Sequence, residues 1–140
     1  MPDLILHHYE ISPFSEKARR LLALKQLTHR RVRAPAVMPK PDLVALTGGY
    51  RKIPVLQIGN HVYCDTSLMA RVFEGLAPTP TLYPTPIAEM VAEWADTTLF
   101  ETAVVVGMRP TRYDEIMKLI KDVDGGANAG PVAPWPVRHS

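Results

Sequence analysis

The segment that most narrows the choice of fold is Pro54-Val55-Leu56-Gln57-Ile58, followed by Gly59-Asn60 and then His61-Val62-Tyr63-Cys64. Two β-prone runs separated by two residues of this kind predict a hairpin, because the tight turns that Gly and Asn favour match the twist of paired strands. A hairpin in mid-chain needs a sheet to join. Leu4-Ile5-Leu6, flanked by the polar His7-His8, reads as the opening buried strand. Ser12 then caps a helix whose first position is Pro13. Phe14, Ala18, Leu21, Leu22 and Lys25 recur along one face of it, with Glu16, Lys17, Arg19 and Arg20 on the other side. A second strand lies around Arg30 to Val32. A proline-rich crossover (Pro35, Pro39, Pro41) leads to a short helical piece from Asp42 to Leu46, ended by Gly48-Gly49. After the hairpin, Asp65-Thr66-Ser67 starts a helix through Leu68, Met69, Val72 and Phe73, stopped by Gly75.

The order β-α-β-α-β-β-α restricts the topology. A strand-helix-strand start requires parallel pairing with a right-handed crossover, and the hairpin adds an antiparallel edge. Residues 1–76 are therefore expected to form an α/β domain with a mixed four-stranded sheet and helices on its faces. Residues 77–86 carry Pro78, Pro80, Pro84 and Pro86 and read as a linker. Beyond it, Ile87, Met90, Val91, Trp94, Ala95, Thr98, Leu99 and Thr102 predict a longer helix with a wide buried stripe, ended by Gly107 and Pro110; without later helices to cover it, the stripe would be an exposed apolar patch inviting self-association. Thr111 and Asp114 have capping-box spacing ahead of Tyr113, Ile116, Leu119, Ile120 and Val123, which adds one more helix. Residues 87–123 thus read as a short all-α segment of two helices. Residues 124–140 are rich in Gly and Pro without periodicity and read as a disordered tail.

Composition removes several function classes. The formal net charge of +2 is too small to argue for a nucleic-acid partner, and the basic run His29-Arg30-Arg31-Val32-Arg33 reads as a solvated strand face. The single cysteine, Cys64, excludes an internal disulfide and a CxxC redox pair, and fits a reducing cytosol. The five histidines are scattered without metal-ligand spacing, so no metal is expected. No run approaches the ~18 apolar residues of a membrane helix. The N-terminus also lacks the pattern of a signal peptide. A cytoplasmic protein with neither membrane nor nucleic acid as partner is the expectation.

Three places can carry chemistry. Ser12-Pro13-Phe14-Ser15 sets a hydroxyl where orphan backbone N–H groups and the positive end of a helix dipole converge. An anion there gains about 0.3–1 kcal/mol at an exposed site and up to ~2 when partly buried. Lys52-Ile53-Pro54-Val55 places a proline at a strand start, where local statistics favour trans because only ~5–6% of X–Pro bonds in folded proteins are cis. Asp65-Thr66 offers a carboxylate for an amine, with a hydroxyl and helix N–H groups for a carboxylate. Taken singly, the Ser12 and Asp65-Thr66 segments read as ordinary helix caps.

Their order and spacing say more. A strand, a Ser-Pro-Phe-Ser helix start, an Ile-Pro-Val strand start, a Gly-Asn hairpin and an Asp-Thr helix start together resemble the N-terminal domain of glutathione transferases, over roughly residues 3 to 76. The resemblance implies a thioredoxin-like fold with glutathione as co-substrate. Ser12 would be the catalytic hydroxyl, with Ser15 and Tyr9 as alternatives. Glutathione would be held by Phe14, by the backbone of Ile53 before a cis Pro54, and by Asp65 and Thr66 at its γ-glutamyl end. Lys52, ahead of Arg51 or Lys40, would meet its glycine carboxylate.

Serine at position 12, where the omega class carries cysteine, removes mixed-disulfide chemistry. What remains is activation of the glutathione thiolate for attack on a small hydrophobic electrophile, a detoxifying transferase activity. Family members carry a much longer helical second domain that supplies electrophile and dimer contacts, so this chain is expected to be a truncated relative. A homodimer would then have an incomplete interface. The alternative expectation is a non-catalytic glutathione-binding or interaction protein.

Overall fold

The computed structural model describes residues 2–35 and 39–107, together with 114, 115 and 118. Strand β1 (Leu4–His8) alternates fully buried with half-buried residues, as a strand covered on both faces does. Helix α1 (Pro13–Leu24) starts at its Ser12 cap, whose side chain accepts the Ser15 N–H, with Pro13 at the first position. Strand β2 (Arg30–Arg33) and helix α2 (Pro41–Thr47) follow. The hairpin comprises β3 (Val55–Ile58) and β4 (His61–Cys64), with Ile58 paired to His61 across the Gly59-Asn60 turn. Helix α3 (Thr66–Leu76) completes the set.

The sheet order is β2-β1-β3-β4. β1 pairs parallel with β2, and antiparallel with β3, which pairs antiparallel with β4. This is the mixed four-stranded sheet expected from the element order, in the thioredoxin-like arrangement that the resemblance implies. One core unites Leu4 and Leu6 of β1, Leu56 of β3, Ala18 and Leu22 of α1, Leu27, and Met69 and Phe73 of α3. Each large side chain buried this way contributes about 1.5–3 kcal/mol.

Helix α2 ends on Gly48 at φ 68, a left-handed conformation that costs an L side chain about 1 kcal/mol or more. A Cβ there meets nothing within 4 Å, so backbone strain is the only penalty. Gly48→Ala is expected to lower folding stability by about 1 kcal/mol in urea titrations.

The chain divides into two compact units between Pro80 and Thr81. In the second unit, α4 (Pro86–Trp94) runs through a π-helical turn at Ala95–Leu99 into α5 (Phe100–Gly107). The extra residue of a π turn rotates the following positions by about 100°.

Two expectations need correction. Gly75 does not stop α3, which continues to Leu76. Leu76 packs on the core, and that burial outweighs the roughly 1 kcal/mol that an interior glycine costs. The stripe on α4 is not buried: Ile87, Met90, Val91, Trp94 and Leu99 are all exposed, Ile87 by 67%. Its helical spacing holds, while its apolar side chains stay open to solvent. Apart from Asp114, the residues that argue for a further helix from Thr111 to Val123 lie outside the described residues, as does the 124–140 tail. Asp114, Glu115 and Lys118 are helical.

Candidate functional site

The register of the sheet assembles the site. His7 of β1 pairs with Val55 of β3, and Val55 pairs with Cys64 of β4. The chain therefore leaves β1 toward Ser12, enters β3 from Pro54 and leaves β4 into Asp65-Thr66 at one end of the sheet. With strands ~4.8 Å apart, β1 and β4 stand ~10 Å from each other across β3. The Ile53–Pro54 peptide bond is cis.

Ser12 is 4% exposed, and its Oγ accepts the Ser15 N–H at 3.1 Å. That bond occupies one lone pair and leaves the hydroxyl hydrogen to donate. Ser15 differs. Its hydroxyl is fully buried and has no hydrogen-bond partner among the described residues. Phe14 is half-buried in the first turn of α1. Tyr9 is half-buried, with the Lys40 ammonium 5.6 Å from its ring centroid. Lys40 is itself buried and donates to the Arg51 carbonyl at 3.4 Å, so Tyr9, Lys40 and Arg51 come together. Lys52 is exposed beside them. A cavity of about 210 Å³ opens next to Lys40, between His7 and Arg33 of the sheet and the start of α2 at Pro41–Leu43.

At the β4–α3 junction, Asp65 has φ 80 and its carboxylate accepts the Ser67 N–H at 2.9 Å. A non-glycine residue at positive φ is unfavourable and clusters at sites of function. Thr66 follows as the first residue of α3, 3% exposed. Cys64 is half-buried, and burial pushes its thiol up, away from the thiolate form. Among the described residues, no His, Cys, Asp and Glu cluster suits a metal ion, and no helix is long and apolar enough to cross a membrane.

A polar network unforeseen in the sequence supports the β1–α1 loop. Arg19 donates to His8 Nδ1 at 2.8 Å, to the Glu10 carbonyl at 2.9 Å and to Glu16 Oε2 at 2.8 Å. A guanidinium only donates, so His8 Nδ1 is the acceptor and the ring proton sits on Nε2. Burial pushes the His8 imidazole down to about 4, with Arg19, Arg31 and Arg33 adding to the effect and Glu10 opposing it. The bonds from Arg19, helped by Arg20, hold the Glu16 carboxyl below its usual range. The i, i+3 spacing of Glu16 and Arg19 was a visible signal, whereas the long-range contacts with His8 and Glu10 had none.

Comparison with known proteins agrees with this fold. The glutathione S-transferase N-terminal domain family matches residues 6–81. A GST-like protein from Pseudomonas syringae is 49% identical, with a TM-score of 0.71, covering 87% of this chain and 45% of that one. A glutathione S-transferase from Rhodospirillum rubrum is 24% identical (TM-score 0.59), covering 68% of this chain and 45% of that one. The Tau class enzyme from mango, Mangifera indica, is 16% identical (TM-score 0.63), covering 86% and 58%. These last two show the shared fold. No curated protein matches the chain. The chain spans about half the length of the solved structures it resembles. On the domain match, which takes in more than half of its residues, the chain belongs to the glutathione S-transferase family.

Proposed function

We propose that this chain binds glutathione across the β1–β3–β4 end of its sheet and activates the thiol at Ser12 for attack on a hydrophobic electrophile. The observation that carries this reading is the register, which gathers Ser12, Ile53-Pro54 and Asp65-Thr66 at one end of the sheet. The γ-glutamyl amine meets the Asp65 carboxylate, and its carboxylate meets the Thr66 hydroxyl and the N-terminus of α3. The backbone of Ile53 pairs with the cysteinyl residue, and Phe14 flanks it. The glycine carboxylate lies toward Lys52, with Lys40 behind it.

At Ser12, the free O–H and the positive end of α1 favour the thiolate. A thiol that starts near ~8.5 drops one unit for each ~1.36 kcal/mol of differential stabilisation, so a gain of up to ~2 kcal/mol lowers it by about one unit or more. The thiol proton passes to solvent. The sulfur lone pair then forms the bond to carbon, and the displaced group departs with its electron pair. The setting is a cytoplasmic detoxification reaction, with glutathione as co-substrate and no metal.

Calorimetric titration with glutathione tests the reading. Thr66→Val is expected to weaken binding about ten-fold, the loss of one hydrogen bond to a charged group. Ser12→Ala is expected to raise the pKa of the bound thiol by about one unit, read from thiolate absorbance, with little change in affinity for S-methylglutathione. Absence of binding by the folded protein overturns the proposal. A second reading, glutathione binding without turnover and with association through the α4 face, is favoured by the exposure of Ile87, Met90, Val91 and Trp94. Binding without conjugation of a chromogenic electrophile, together with dimers in sedimentation, would select it.

A further inference from the structure

Arg19 occupies an unusual position for a helix residue drawn from the charged side of α1. Its side chain is only 10% exposed, and its donors reach three separate parts of the chain. Nη1 holds the ring of His8 at the end of β1 at 2.8 Å. Nη2 holds the main-chain carbonyl of Glu10, inside the loop that leads to Ser12, at 2.9 Å. Nε and Nη2 grip Glu16, in the first turn of α1, at 3.1 and 2.8 Å. The Glu10 carboxylate completes the ring of charge, 3.9 Å from Arg19 Nη1 and 3.9 Å from His8 Nε2. The strand end, the loop and the first turn of the helix are thus bound to one planar fork.

We propose that Arg19 is a positioning residue for the thiol end of the site: by tying the Glu10 backbone and His8 to Glu16, it fixes the loop that sets the Ser12 hydroxyl at the start of α1. The proposal rests on the reading of Ser12 as the thiol's partner. The consequence is geometric. The loop closes through Ser12 N–H to the Tyr9 carbonyl at 3.3 Å, a long bond that gives little rigidity by itself. Without the Glu10 tether, the loop and its cap can separate from the helix end. A hydroxyl that wanders by even 1 Å loses much of its effect on a bound anion. Lysine cannot replace the fork, because an ammonium is a single point of charge on a flexible stem.

The test uses Arg19→Gln and Arg19→Lys beside the wild type. In the ligand-free protein, hydrogen exchange at the Ser12, Ser15 and Glu16 amides is expected to quicken at least ten-fold in both variants, while the core amides of Leu6 and Leu56 keep their protection. In the complex, the bound thiol's pKa is expected to rise by about one unit, and the affinity for S-methylglutathione to change less than three-fold. Unchanged exchange at those three amides, or a wild-type thiol pKa in both variants, overturns the proposal. So does full rescue by Arg19→Lys, which would reduce the role to charge alone. Should Arg19→Gln lose its fold, Arg19→Lys decides. Should the wild type bind neither glutathione nor S-methylglutathione, the proposed function fails, and the exchange data still decide whether Arg19 holds the loop.

Discussion

Acidification from pH 7 to pH 4 is expected to remove about 3 kcal/mol of folding stability through His8 alone, because its imidazole titrates near 4 in the folded protein and near 6.5 when unfolded. Between those values the unfolded chain holds the proton and the folded one does not. Stability therefore rises with pH across the window, is complete above about 6.5 and is lost as the pH falls toward 4. The cause is visible in the packing. His8 is 3% exposed, accepts from Arg19 through Nδ1, and is faced by Arg31 and Arg33, with the Glu10 carboxylate opposing them. A proton on Nδ1 would set a donor against a donor.

Urea titrations from pH 4 to pH 8 measure this effect in the wild type and in His8→Gln, whose amide oxygen can still accept from Arg19. The variant is expected to be less stable at neutral pH and to show a much flatter profile between 4 and 6.5. An equally steep profile in His8→Gln would assign the acid sensitivity to other groups. Glu16, whose carboxyl is held below its usual range, also favours the folded state as pH rises, but in a lower window set by carboxylates.

Lys25→Met is expected to cost about 3 kcal/mol, the low end of what removing one partner of a buried ion pair costs. The Lys25 side chain is fully buried, and its ammonium meets Glu74 at 2.5 Å, the Ala77 carbonyl at 2.7 Å and the Pro80 carbonyl at 2.5 Å. Methionine keeps the length of the stem and leaves two carbonyls and a carboxylate without that donor. Glu74 is 25% exposed on its side chain, so water recovers part of the loss. Adding Glu74→Leu should restore about 1 kcal/mol, since a pair replaced by apolar groups is far less costly than a pair cut in half. Thermal and urea unfolding of the two variants check this. A loss below about 1 kcal/mol for Lys25→Met would show that the ion pair merely offsets its own desolvation.

Lys25 also shows how far the sequence reaches. Helical spacing places it on the apolar face of α1 with Ala18 and Leu22, where all three are buried. Nothing near it in sequence foretells Glu74 as its partner. The same division runs through the site. Ser12 and Asp65 are legible as caps because the signal lies within three residues of each. Ser15 is equally legible as a hydroxyl in the first turn, yet its burial depends on the packing of the whole face. The resemblance favours Lys52 over Lys40, whereas the structure buries Lys40 against Tyr9 and the Arg51 carbonyl.

Which segments become strands and helices, where most of them begin and turn, and that β1, the hairpin and α3 belong to one mixed sheet domain can all be read from the residues in order. Those properties come from periodicity, caps and turn residues, each encoded over a few neighbouring positions. The neutral state of His8, the hold of Arg19 on the β1–α1 loop and the burial of Lys25 against Glu74 come from the packing of the fold. Each of those depends on groups brought together by the packing of distant elements. Burial and partnership are set by what lies across space, and no local pattern encodes that.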